Sequence, residues 1–186
     1  MKKKLLIAAA VVLALAIAAG GTLAFFTSRK VVHNVITTGS IQIDLIEKMQ
    51  TADGLVDFED QTGVMPDADV SKIVTVKNTG NNPAWVRLRV EKAITMAGGV
   101  TETPDPDLIQ IDYNTENWTY QDGYYYYNAI LEPGDETEVL FTTVSFAPEM
   151  GNAYQNARVA ISVYAQTTQT QNNGANALEA NGWPEV

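Results

Sequence analysis

The chain contains no cysteine. Disulfides, thiol nucleophiles, cysteine metal ligands and a lipid-modified cysteine are all excluded, so an exported domain of this sequence must be held by core packing. Histidine is almost as scarce, with His33 the single one. A two-histidine zinc motif such as HExxH therefore cannot exist. A Ser-His-Asp triad would have to recruit His33, and no nucleophile-elbow pattern accompanies it. The histidine is expected on the exposed side of an N-terminal strand. Bases are few as well: 12 Lys and Arg stand against 22 Asp and Glu, a net charge of −10. With no basic stripe for phosphate, nucleic-acid binding is set aside. No second long hydrophobic run follows the one at the start, and helical periodicity is nearly absent beyond it.

What is there begins at Met1. Lys2, Lys3 and Lys4 precede the apolar run Leu5–Ala19, and Thr22-Leu23-Ala24 sets small residues ahead of Phe25. That is the layout of a secretory signal peptide, with cleavage expected between Ala24 and Phe25. The competing reading is a retained membrane anchor. As a helix, residues 5–19 span about 22 Å, short of a bilayer core of roughly 30 Å. Extension to Phe26 passes through Gly20 and Gly21, each costing about 1 kcal/mol. Cleavage removes three lysines and no acid, leaving nine bases against 22 acids, so the charge moves from −10 to −13. The mature protein is expected outside the cell, touching the membrane only through its N-terminal segment before the cut.

The remainder alternates with period two. Ile41, Ile43 and Leu45, then Val86, Leu88 and Val90, then Val159, Ile161 and Val163 each alternate with other residues, which marks half-buried strands. Further strands are expected at Ser71–Lys77, Tyr124–Leu131 and Glu138–Phe146, and a weaker one at Thr27–Val35. Asn78-Thr-Gly-Asn-Asn-Pro83 and Glu132-Pro-Gly-Asp135 supply turns. Gln50–Asp69 and Ala97–Asp107 read as loops, and Ala175–Ala180 as a helical turn or two. Many short strands with frequent turns predict an all-β sandwich or barrel. The expected division is 1–24 signal peptide, 25–36 mature N-terminal segment and 37–186 a single β domain.

Three clusters carry candidate chemistry. Asp53, Asp57, Glu59 and Asp60 place carboxylates at short spacing, as a calcium site would, without matching an EF-hand; the competing reading is a solvated acidic loop. Tyr124, Tyr125, Tyr126 and Tyr127 suggest ligand stacking, against a strand buried on one side and covered by a loop on the other. Trp85 alternates with Arg87 and Arg89, where it would sit under an arginine or mark an interaction surface. No catalytic residue is assigned, and no cofactor beyond calcium.

Several stretches together resemble a family. Gly20-Gly21-Thr22-Leu23-Ala24-Phe25-Phe26-Thr27 is similar to signal peptides cut by the SipW-type, endoplasmic-reticulum-like signal peptidase. Val74-Thr-Val-Lys-Asn-Thr-Gly80, Ala84-Trp-Val-Arg-Leu-Arg-Val90, Leu131-Glu-Pro-Gly-Asp135 and Tyr164-Ala-Gln-Thr-Thr-Gln-Thr-Gln171 resemble the exported TasA/camelysin-like proteins of Gram-positive bacteria. The resemblance implies a jelly-roll sandwich, a non-enzymatic role at the cell surface or in the biofilm matrix, and fibres in which the N-terminal segment pairs with the next subunit. The zinc activity described for the camelysin branch is not carried over, because no zinc-ligand set is present. Phe25, Phe26, Val31, Val32 and Val35 would lie in the donor strand, with Arg29 and Lys30 steering it onto an acidic neighbour. Expected partners are the SipW-type peptidase and further copies or related matrix subunits. The alternatives are self-completion of the segment's own sheet and, as a function, an exported binding module for glycan, calcium or a protein.

Overall fold

The computed structural model describes residues 32–34, 41–59 and 66–184. The signal segment, the Ala24–Phe25 site and the donor-strand positions Phe25, Phe26, Val31 and Val35 lie outside the described residues, as does Asp60. Ten strands form among the described residues: β1 (Val32–Asn34), β2 (Ile43–Thr51), β3 (Gly54–Asp57), β4 (Asp69–Asn78), β5 (Ala84–Thr95), β6 (Ile109–Ile111), β7 (Trp118–Gln121), β8 (Tyr124–Tyr127), β9 (Phe141–Phe146) and β10 (Arg158–Gln169). Two 3-10 turns, Pro106–Leu108 and Asn152–Tyr154, are the helical elements among the described residues.

The strands assemble into two five-stranded sheets, one ordered β1-β10-β5-β8-β7 and the other β3-β2-β4-β9-β6. Alternation explains why they face each other. Val86 and Leu88 of β5 and Val159, Ile161 and Val163 of β10 point inward from the first sheet. They share one core with Ile43 and Leu45 of β2, Val74 and Val76 of β4 and Phe141 of β9 from the second. Burying both apolar faces at about 25 cal/mol per Å² is the main stabilising force. The all-β expectation therefore holds, with one addition. Among the described residues every strand pairing is antiparallel except that of β1 with β10, which is parallel.

The boundaries need correction in several places. Gln50–Asp69 is not loop throughout: β3 forms inside it, as a hairpin with β2 through Ala52–Asp53. Thr51 Oγ1 donates to the Gly54 carbonyl at 2.8 Å, closing that turn. The acids of this stretch dominated its composition and hid Leu55 and Val56. Strand β7 also went unforeseen, although Asp122-Gly123, at φ 51° and 85°, is a two-residue hairpin turn joining it to β8. Strand β6, just past the Ala97–Asp107 loop, is a further addition to the expected strands. The strand expected at Tyr124–Leu131 ends at Tyr127, and that at Glu138–Phe146 starts at Phe141. Ala175–Ala180 makes no helix but a tight turn, in which the Glu179 amide donates to Asn176 Oδ1 at 3.1 Å. Six residues are too few to offset helix nucleation without packing support.

Asn78 joins two of the stretches quoted above, Val74–Gly80 and Leu131–Asp135. Its side chain is fully buried. Its Nδ2 donates to the carbonyls of Asn82 and Leu131, each at 2.9 Å, while its Oδ1 accepts from the Gly80 amide at 2.9 Å. Its backbone bonds Asp135 and Gly134. Ala84 and Leu131 exchange backbone bonds beside it, both 3.0 Å. The Asn-Thr-Gly and Glu-Pro-Gly-Asp turns are thus two halves of one hydrogen-bonded corner, a structural rather than chemical role.

Candidate functional site: the two outer regions of the first sheet

Strand β10 pairs with β5 along its whole length, from Arg158–Thr95 to Gln169–Ala84. On its other side it pairs with β1 at three positions, Val32–Val163, His33–Tyr164 and Asn34–Ala165. Residues 158–162 and 166–169 of β10 have no strand partner on that side among the described residues. The three described residues of β1 thus lie along the edge of a twelve-residue strand. An edge of this kind presents backbone groups to any added strand.

The outer face of the same sheet is covered by the chain's other end. Trp85 is 4 % exposed, and its Nε1 donates to the Asn173 carbonyl at 2.9 Å. Thr168 Oγ1 donates to the Asn181 carbonyl at 2.9 Å, and Gln166 Nε2 to the Pro184 carbonyl at 3.1 Å. Asn173 Nδ2 lies 2.9 Å from both the Gln169 and Asn181 carbonyls. Gly174 lets the strap turn: it has φ +70°, and a Cβ there would sit 2.8 Å from backbone atoms of Glu179 and Ala180. Trp85 is therefore neither under an arginine nor an exposed interaction surface, which corrects the sequence-based expectation.

Arg87 takes the stacked position instead. Its guanidinium carbon lies 3.9 Å from the Tyr124 ring centre and 4.6 Å from that of Trp183. Its Nε donates to Gln166 Oε1 at 2.7 Å and its Nη1 to the Tyr126 hydroxyl at 3.1 Å. A planar cation between two π faces, with its fork occupied, is well suited to hold a strap against a sheet.

The four tyrosines of β8 divide by face, as alternation requires. Tyr124 and Tyr126 join Trp85, Ala177, Ala180 and Trp183 under the strap. Tyr125 and Tyr127 pack on the main core, Tyr127 against Trp118 at 5.0 Å and Tyr125 against Tyr113 at 4.3 Å. Burial raises the Tyr113 hydroxyl far above its ordinary value of 10, with the neighbouring Tyr125 adding to it. Tyr125 is raised by burial too. A strand buried on one side and covered on the other is the arrangement found. Among the described residues the aromatic most open to solvent is Tyr120, 61 % exposed and 4.8 Å from Tyr125.

The acidic residues do not converge. Asp53 sits at the tip of the β2–β3 hairpin and Asp57 at the far end of β3, about 13 Å apart at the usual strand rise. Asp53, Asp57 and Glu59 are all exposed. Among the described residues no group of three or more His, Cys, Asp or Glu side chains is placed to hold a metal ion. No described helix is long and apolar enough to cross a membrane.

No family model matches the chain, and no curated protein or solved structure matches it.

Proposed function

We propose that this chain is a secreted, non-enzymatic structural protein of the cell surface or biofilm matrix, jelly-roll-like in topology, that assembles through its mature N-terminal strand. The observation that carries the reading is the β1–β10 pair: a three-residue parallel strand resting on the edge of a twelve-residue one. So few ladder bonds are cheap to give up locally, and an equivalent strand from another copy would restore them. A head-to-tail contact of that type does not close, so it propagates into a filament. The chain's acidity and the two bases Arg29 and Lys30 favour donor on acceptor. Cleavage after Ala24 by a SipW-type peptidase would free the donor, making export and assembly one event.

Electron microscopy of protein starting at Phe25, beside protein starting at Ile36, tests this. Fibres from the first and monomers from the second are expected. Fibres from both, or from neither, overturn it. A binding-module reading has one observation in its favour, the exposed Tyr120 ring beside Tyr125. Glycan binding lost in Tyr120→Ala would support it.

A further inference from the structure

Two ionisable side chains stand where the strand pattern calls for apolar ones. Glu47 continues the inward series of Ile43 and Leu45 on β2, and Lys72 precedes the inward Val74 and Val76 on β4. Both side chains are 1 % exposed, and Lys72 Nζ lies 2.6 Å from Glu47 Oε1. Glu47 Oε2 is buried without a hydrogen-bond partner among the described residues. Phe58, 4 % exposed, sets its ring centre 3.9 Å from Nζ, and its amide donates to the Glu47 carbonyl at 3.0 Å.

The backbone is irregular at the same point. The β4–β9 register shifts between Ser71 and Val74, so one extra β4 residue is accommodated beside Lys72. The β2–β4 ladder ends at Lys48–Ile73, and the Gln50 amide turns to Ser71 Oγ at 2.9 Å instead. Bulges re-aim side chains; this one brings the lysine against the glutamate.

As an ion pair this arrangement is costly, because both charges leave water and one carboxylate oxygen is left unmatched. We propose that Lys72 and Glu47 condense to an amide, an intramolecular isopeptide cross-link between β2 and β4 in a chain that has no disulfide. The ammonium passes one proton to the carboxylate, giving an amine and a carboxylic acid. The Nζ lone pair attacks Cδ and the C–N bond forms. The bond from Cδ to the protonated oxygen then breaks, and that hydroxyl leaves as water with a second proton from nitrogen. Nothing is oxidised or reduced. The product is a neutral secondary amide, so both desolvated charges disappear. Nζ is already bonded to an oxygen of the carbon it attacks, a placement that raises effective molarity. The Phe58 face favours the ammonium, which keeps the neutral pair a minor state and the condensation slow.

Intact mass under denaturing conditions reads the result directly. Mature protein, incubated folded for several days after purification, should be lighter than its sequence by one water. Proteolysis should yield a branched peptide joining the segments around Glu47 and Lys72. Glu47→Ala and Lys72→Arg should each restore the full mass and remove the branched peptide. Glu47→Gln should give the same branched peptide by loss of ammonia, a product that loss of folding would not generate. A wild-type mass equal to the sequence, or a water deficit mapped to other residues, overturns the proposal.

Discussion

The two ends of the described chain both lie on the first sheet, and they are held in opposite ways. The C-terminal strap crosses the outer face and is fastened by the Trp85, Gln166, Thr168 and Asn173 side chains and by the stacked Arg87. Among the described residues, β1 lies along the edge and meets β10 in three backbone pairs. Side-chain anchoring is specific to one partner, because each donor meets one acceptor in a desolvated place. Backbone pairing at an edge is generic, because any strand offers the same groups. On this difference rests the proposal that β1 is the end another copy replaces, while the strap stays with its own domain.

The comparison is broken most severely by Trp85→Ala. It deletes the largest side chain under the strap and leaves the Asn173 carbonyl unmatched, with an expected loss of about 3–5 kcal/mol in urea unfolding. Gly174→Ala should cost about 2 kcal/mol, since it demands a left-handed backbone from alanine and presses Cβ into Glu179 and Ala180. If either change leaves stability untouched, the strap is not a fastened element.

The strands that pack the core were legible where alternation is strict, as in Val86-Arg-Leu88 and Val159-Ala-Ile161. They were lost where turn chemistry and composition disagreed. β3 hid among acids, and β7 hid behind an aromatic cluster although Asp122-Gly123 announced its turn. The β8 tyrosines were read correctly as two faces, because period two assigns faces without knowing partners. Which arginine stacks was not readable: Trp85 and Arg87 share a face, and only the path of the strap decides which one it covers. The Lys72–Glu47 pair was likewise invisible, because a bulge shifts register without any sequence marker as clear as a glycine.

Arg87→Lys should cost about 1 kcal/mol, as an ammonium keeps the charge but loses the planar stack and the fork to Gln166 and Tyr126. Quenching of Trp183 fluorescence in mild urea, at concentrations that leave the core intact, would show the strap loosening first. The inner tyrosines give a control that touches neither chain end. Because Tyr113 and Tyr125 hold their protons more tightly folded than unfolded, their contribution is full below pH 10 and is lost as pH rises beyond it. The part of the tyrosinate absorbance that comes from Tyr113 and Tyr125 should therefore appear together with unfolding, and Tyr113→Phe should reduce that part and flatten the alkaline fall.

The smallest expected change in monomer stability comes from the other end. Successive backbone N–H groups of a strand point to opposite sides. A Val32→Pro, His33→Pro double variant therefore removes one that faces β10, whichever residue supplies it. Three pairs on the outermost strand contribute little, so the unfolding free energy of the monomer should fall by about 1 kcal/mol or less. Fibre formation should nevertheless be lost, because the same groups would have to hold each joint between copies. A loss comparable to that of Trp85→Ala would mean that β1 is as firmly built in as the strap, and the two ends would no longer differ in kind.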